Sequence, residues 1–204
     1  MWALIEDSEI VKIINNPRGM VIGDTRYSRN IFSFRWTDEE REAIGLYEIV
    51  IDNSNKRDES YYTNTNQSFD FADGVATASY GSATAKSLTD TLFTAQDEIN
   101  GKGTEGEVKA KGLKNLEKEN IKKYASNLLT STDWYVIKAT EVESYSVPSA
   151  ITTYRTNVRT KSNTMEASID NAADVDELAA LFEYTEQLDG TQTRPLGQWP
   201  VLEV

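Results

Sequence analysis

The sequence predicts an α+β fold, with a β-rich N-terminal domain over residues 1–83 followed by an antiparallel helical C-terminal part. Three observations carry this. Up to about residue 80, short runs of branched and aromatic residues are separated by turn-forming clusters. Beyond residue 84 the apolar spacing becomes that of helices. The charge shifts as well: residues 1–100 carry 9 basic and 17 acidic side chains, residues 101–168 carry 11 and 8, and residues 169–204 carry 1 and 8. The expected layout is a β domain (1–83), a helix and glycine hinge (84–106), a helical hairpin plus short helix (107–185) and an extended tail (186–204).

In chain order, "EIVKII", "MVIG" and "RYSRNIFSFRW" are strand-like, with "NNPRG" as a turn. Thr37 and Glu40 have the spacing of a capping box, and Gly45 is placed to stop the short helix they begin. "LYEIVI" alternates Tyr47, Ile49 and Ile51 on one face with Leu46, Glu48 and Val50 on the other. In "SFDFADGVATASYG", Asp73-Gly74 supplies the positive φ angles of a type I′ turn, which sets Phe71 opposite Ala76 and Phe69 opposite Ala78.

The helical pattern begins in "ATAKSLTDTLFTAQDEI", read as a helix running to the glycines at 101, 103 and 106. Val108, Leu113, Leu116, Ile121, Tyr124, Leu128 and Leu129 then form one stripe, with lysines largely outside it. Ile151, Tyr154, Val158, Met165 and Ile169 form a second, at near-heptad spacing with Lys161 or Ser162 interrupting the seam. Two such helices joined by about 20 residues should lie antiparallel. A third helix starts at Asp174, capped three residues on by Glu177, with Val175, Leu178, Leu181 and Phe182 as its apolar face.

Composition narrows the function. The chain has 204 residues, a net charge of −12, no histidine and no cysteine. The commonest general base, the commonest transition-metal ligand, thiolate chemistry and disulfides are therefore missing. An acidic chain also repels nucleic acid and anionic membranes, so neither is an expected partner. The opening "MWALIEDSEIVKII" places acids inside its apolar run, unlike a signal peptide or membrane span.

The loop "GKGTEG" at 101–106 has the G-x-G-x-x-G spacing of a dinucleotide site. It follows a polar, helix-like run rather than a buried strand, and Glu105 would repel phosphate, so it reads as a flexible hinge between the two parts. The lysines from 102 to 123 read as a solvated helix face, and the acids Asp170, Asp174, Asp176 and Glu177 fit no calcium loop. Asp52, Ser54 and Lys56 begin like a calcium loop, but the lysine takes a ligand place. No cofactor, metal or catalytic residue is expected. In "TSTDWYVIK", a helix is read as stopping at Ser/Thr/Asp and Trp134-Tyr135 as opening an extended run; exposed, this pair would anchor another chain. Trp199, followed by Pro200, suggests docking into a groove of a partner.

The succession "NLLTSTDWYVIK", "PSAITTYRTNVRTKSN" and "RPLGQWP" resembles the C-terminal module of tail-fibre assembly and tail-associated proteins of tailed bacteriophages. The matching residues are Asp133, Trp134, Tyr154, Arg155, Trp199 and Pro200. "IGDTRYSRNIFSFRWTDEEREAIGLYEI" and "ATASYGSATAKSLTDTLF" are similar to proteins of marine tailed phages. Here the helix at 174–184 stands between the Y-R helix and the W-P ending. The resemblance implies a non-enzymatic role at the fibre, as an assembly chaperone or a small virion subunit, in the virion tail or in the host cytoplasm during assembly. Its partners would be other tail or fibre proteins, or further copies of itself. The alternative is a carboxylate-based small-ligand or carbohydrate-acting enzyme; a retaining hydrolase would need two acids about 5 Å apart in a cleft.

Overall fold

The structure, a computed structural model, describes residues 1–202. It is α+β: strands dominate the N-terminal part and helices the C-terminal part. The chain divides into two compact units, Met1–Thr84 and the part from Ala85 onward.

In the first unit, β1 (Trp2–Glu6) and β2 (Glu9–Ile14) form a hairpin through Asp7-Ser8, both at positive φ. β3 (Met20–Ile22) and β4 (Thr25–Tyr27) form a second, small hairpin. Then come α1 (Asp38–Glu42), β5 (Leu46–Asp52), β6 (Tyr62–Thr63), β7 (Ser68–Ala72) and β8 (Val75–Ser79), and β9 (Thr84–Ala85) marks the division. The main sheet has the order β2-β1-β5-β8-β7. β5 sits at its centre, antiparallel to β1 and parallel to β8, between two hairpins. The outermost strands, β2 and β7, approach within 8 Å between Cα atoms, so the sheet curls on itself.

The curl gives the unit two cores. Ala3, Ile5, Ile49, Ala76 and Ala78 fill one face, joined by Tyr47 and Phe71, while Trp2, Ile14, Ile31 and Leu46 fill the other. β5 therefore contributes Tyr47 and Ile49 to one side and Leu46 to the other; Ile51, expected on the Tyr47 face, is exposed near the strand's end. The hairpin register is as expected, with Phe71 opposite Ala76 and Phe69 opposite Ala78. The capping box also forms: Glu40 N–H donates to Thr37 Oγ1 at 3.2 Å, and Thr37 N–H donates to Glu40 Oε2 at 2.8 Å. Gly45 then turns the chain at φ 76°, where a Cβ would run into the Ile5 carbonyl.

The second unit holds β10 (Thr91–Leu92), α2 (Ala95–Ile99), β11 (Val108–Ala110), α3 (Leu113–Thr130), α4 (Asp133–Glu141), α5 (Ser149–Asn171), α6 (Val175–Ala180), β12 (Thr185–Glu186) and β13 (Gln192–Thr193). Its start corrects the reading of residues 84–106. The helix is only α2, because Thr94 forms its own capping box with Asp97, and Leu92 before it pairs with Val108. The glycines then lie within an ordered turn between α2 and β11. Gly106 N–H donates to Phe93 O at 3.0 Å, Phe93 N–H donates to Glu107 O at 2.9 Å, and the Phe93 ring lies where a Cβ of Gly103 would stand. The division between the units falls at Thr84, ahead of this loop rather than at it.

α3 and α5 pack antiparallel, as the order of their contacts requires: Lys118 pairs with Asp170, Lys122 with Glu166, and Arg155 reaches Leu129. The α5 stripe is buried throughout, with Ser162 in the seam. The α3 stripe is corrected. Leu113, Ile121 and Ala125 are its buried residues, Leu116 and Tyr124 are exposed, and Val108 belongs to β11. α6 ends at Ala180, short of the expected 184. The tail is not simply extended: β12 and β13 pair, and Leu196 is buried.

Candidate functional site

The α3–α4 junction is built around Arg155. Its Nη1 donates to Leu129 O at 2.9 Å and to Thr132 Oγ1 at 2.7 Å, and ion-pairs with Asp133 Oδ1 at 2.8 Å, with only 11% of the side chain exposed. The guanidinium thus closes the carbonyl end of α3 and holds the first residue of α4, as planar donors do at helix ends. This overturns the extended run expected at Trp134-Tyr135: residues 133–141 are helical, because Arg155 and buried Thr132 set a tight turn before them. Arg155, expected to meet a partner, holds this junction, and Tyr154, expected likewise, is buried beside Ala125 and Val158 at the edge of a cleft.

α4 itself buries none of its residues. Trp134 is 51% and Ile137 55% exposed, one helical turn apart, with Val136 and Val142 exposed nearby. The Trp134 and Tyr135 rings lie 4.0 Å apart between centroids, and Lys138 Nζ stands 5.5 Å from the Trp134 ring and 4.3 Å from that of Tyr145. Cation and stacking contacts hold the indole in place while leaving much of it open.

Trp199 lies on its own chain. It packs against the Ala125–Tyr154–Val158 cluster, with its ring 5.2 Å from that of Tyr124. Trp199 and Pro200 edge a cleft of about 650 Å³. Its other aromatic lining residues are Tyr124 of α3, Tyr154 of α5, and Phe182 and Tyr184 just before β12. Arg194, just after β13, lies over both of these rings at 6.0 and 5.2 Å. Below β12 and β13 the turn is knitted by Asp189, whose carboxyl accepts from the Thr191 hydroxyl and N–H and is held below its ordinary value by them. None of the described residues lining the cleft is acidic. The sequence reading passed over Phe182, Tyr184 and Arg194 as a site, although Arg194 is the only basic side chain after residue 168. That isolation was the signal available.

The acids at the end of α5 and the start of α6 are taken up in an ion pair and in capping. Lys118 pairs with Asp170, Asp174 accepts from Glu177 N–H, and Glu177 accepts from Ala173 N–H at 2.7 Å. Among the described residues no group of three or more candidate ligands is arranged to hold a metal ion, and no helix is long and apolar enough to cross a membrane. In the first unit a hollow of about 210 Å³ is edged by Asp38, Glu42 and Glu48, all exposed, with Asp38 held by Arg41 at 2.9 Å.

Fold and surfaces together define an α+β protein of two units whose open features are an apolar helix face and an aromatic cleft. The chain matches no family model, no curated protein and no solved structure.

Proposed function

We propose that the chain is a non-enzymatic subunit that works by contact with other proteins, as a fibre-assembly chaperone or a small virion subunit of a phage tail. The observation that carries the contact role is α4. A helix that buries nothing of its own while displaying Trp134 and Ile137 has the composition of an interface core, where aromatic anchors dominate the energy. The tail-fibre setting comes from the sequence resemblance. Of the residues behind it, Asp133, Tyr154 and Arg155 maintain the junction that presents α4.

A photo-crosslinking residue at position 137, in cells infected by the phage that encodes the chain, tests both parts. Crosslinks to tail or fibre chains are expected, and Trp134→Ala should remove them while leaving the circular dichroism spectrum unchanged. Crosslinks only to unrelated host enzymes, together with absence of the chain from both particles and fibre-assembly intermediates, would sink the proposal.

A further inference from the structure

We infer that the aromatic cleft of the second unit binds an extended, proline-rich peptide segment that carries a carboxylate. The inference rests on the reading that the chain works through protein contacts, but it concerns a surface other than α4.

The first support is shape and surface. The cleft, about 650 Å³, is lined by the aromatic side chains of Tyr124, Tyr154, Phe182, Tyr184 and Trp199. Flat apolar faces with polar edges are what proline rings pack on, and a polyproline segment loses little conformational freedom on docking because it is already extended.

The second support is the balance of donors and acceptors. Among the described residues the phenols of Tyr124 and Tyr184 and the indole N–H of Trp199 have no hydrogen-bond partner. Together with the Arg194 guanidinium they leave donors open at the cleft, beside the amides of Asn120 and Gln198, and none of the described lining residues is a carboxylate. A proline-rich segment presents the complement, since its carbonyls accept and its proline nitrogens have no hydrogen to donate.

The third support is charge. Arg194 gives Nε–H to Gly197 O at 3.2 Å, and no acid among the described residues lies within ion-pair distance of it. Among the described residues nothing else takes its outer nitrogens, which could meet a carboxylate beside the Tyr184 and Phe182 rings.

The test uses the full chain and a fluorescent peptide of repeated Pro-Pro-Glu triplets, read by anisotropy. Saturable binding is expected, weakened at least tenfold by Tyr184→Ala, whose ring is more than half exposed so that the fold is retained. Arg194→Gln should abolish the preference over a Pro-Pro-Lys peptide. Trp134→Ala should leave binding unchanged, which separates this site from the one proposed on α4. Equal binding of a Gly-Gly-Glu peptide would reduce the effect to charge and overturn the proposal. So would binding of an acidic oligosaccharide such as oligogalacturonate without binding of the peptide, or no binding of Pro-Pro-Glu at all.

Discussion

The α3 register allows a contrast between two substitutions of equal chemistry. Ile121→Ala and Leu116→Ala each remove three carbons, but Ile121 is 5% exposed and Leu116 41%. At about 0.8 kcal/mol per buried CH₂, Ile121 forfeits roughly 2.4 kcal/mol of transfer free energy, and the space left beside α5 adds a cavity cost, for a total of about 3 to 4 kcal/mol. Leu116 already meets water and leaves an open dent rather than a closed void, so its loss should stay near 1 kcal/mol. Urea unfolding followed by far-UV circular dichroism reads the difference, because the long helices all lie in the second unit, provided the slope with denaturant is common to both variants. Equal costs would mean that α3 presents the face read from the sequence, with Leu116 inward. The packing described above would then be wrong by about a third of a turn.

Two further outcomes are expected. Arg155→Met keeps the apolar stem but strips Leu129 O, Thr132 Oγ1 and Asp133 of their shared donor, which should cost about 2 to 3 kcal/mol and raise hydrogen exchange at residues 130–134; unchanged exchange there would refute the bracket role. Asp97 is held below the ordinary carboxylate value first by the Thr94 backbone N–H and next by Lys109, so its contribution is present above that ordinary value and is lost as the pH falls through the lower, folded one. Asp97→Asn should therefore lower the melting temperature at neutral pH and converge on the parent in strong acid, whereas a constant offset at every pH would show that the carboxylate charge is not what matters.

What the sequence made legible was whatever local chemistry decides. The capping box at Thr37, the N-cap at Asp174, the Asp73-Gly74 turn and the α5 stripe are each specified within a few residues and found in place, although at Asp174 the returning Glu177 carboxylate takes the Ala173 N–H instead of the N-cap's own. The misreadings arose where a distant partner wins. Residues 108–110 have an apolar residue at helical spacing, but pairing with Thr91 and Leu92 makes them a strand. Tyr124 fits the α3 stripe, yet it stacks on Trp199, which arrives from far along the chain. Residues 133–141 become helical once an arginine some 20 positions later closes the turn before them. The cleft was the least legible feature, because its aromatics are scattered over α3, α5 and the tail and share no spacing.

The central place of β5 has a kinetic consequence. The hairpins β1–β2 and β7–β8 are local and can zip on the microsecond scale, but β5 must reach β1 across a loop of about 30 residues, whose closure costs about 3 kcal/mol of chain entropy. Its parallel seam with β8 gains no help from a tight turn. Until β5 arrives, each hairpin carries an unpaired inner edge flanked by Ala3 and Ile5 or by Ala76 and Ala78, uncharged apolar side chains that do nothing to repel a foreign strand. The slow step of this unit and its most aggregation-exposed moment should therefore coincide, and conditions that hasten β5 insertion should raise refolding yield as well as rate.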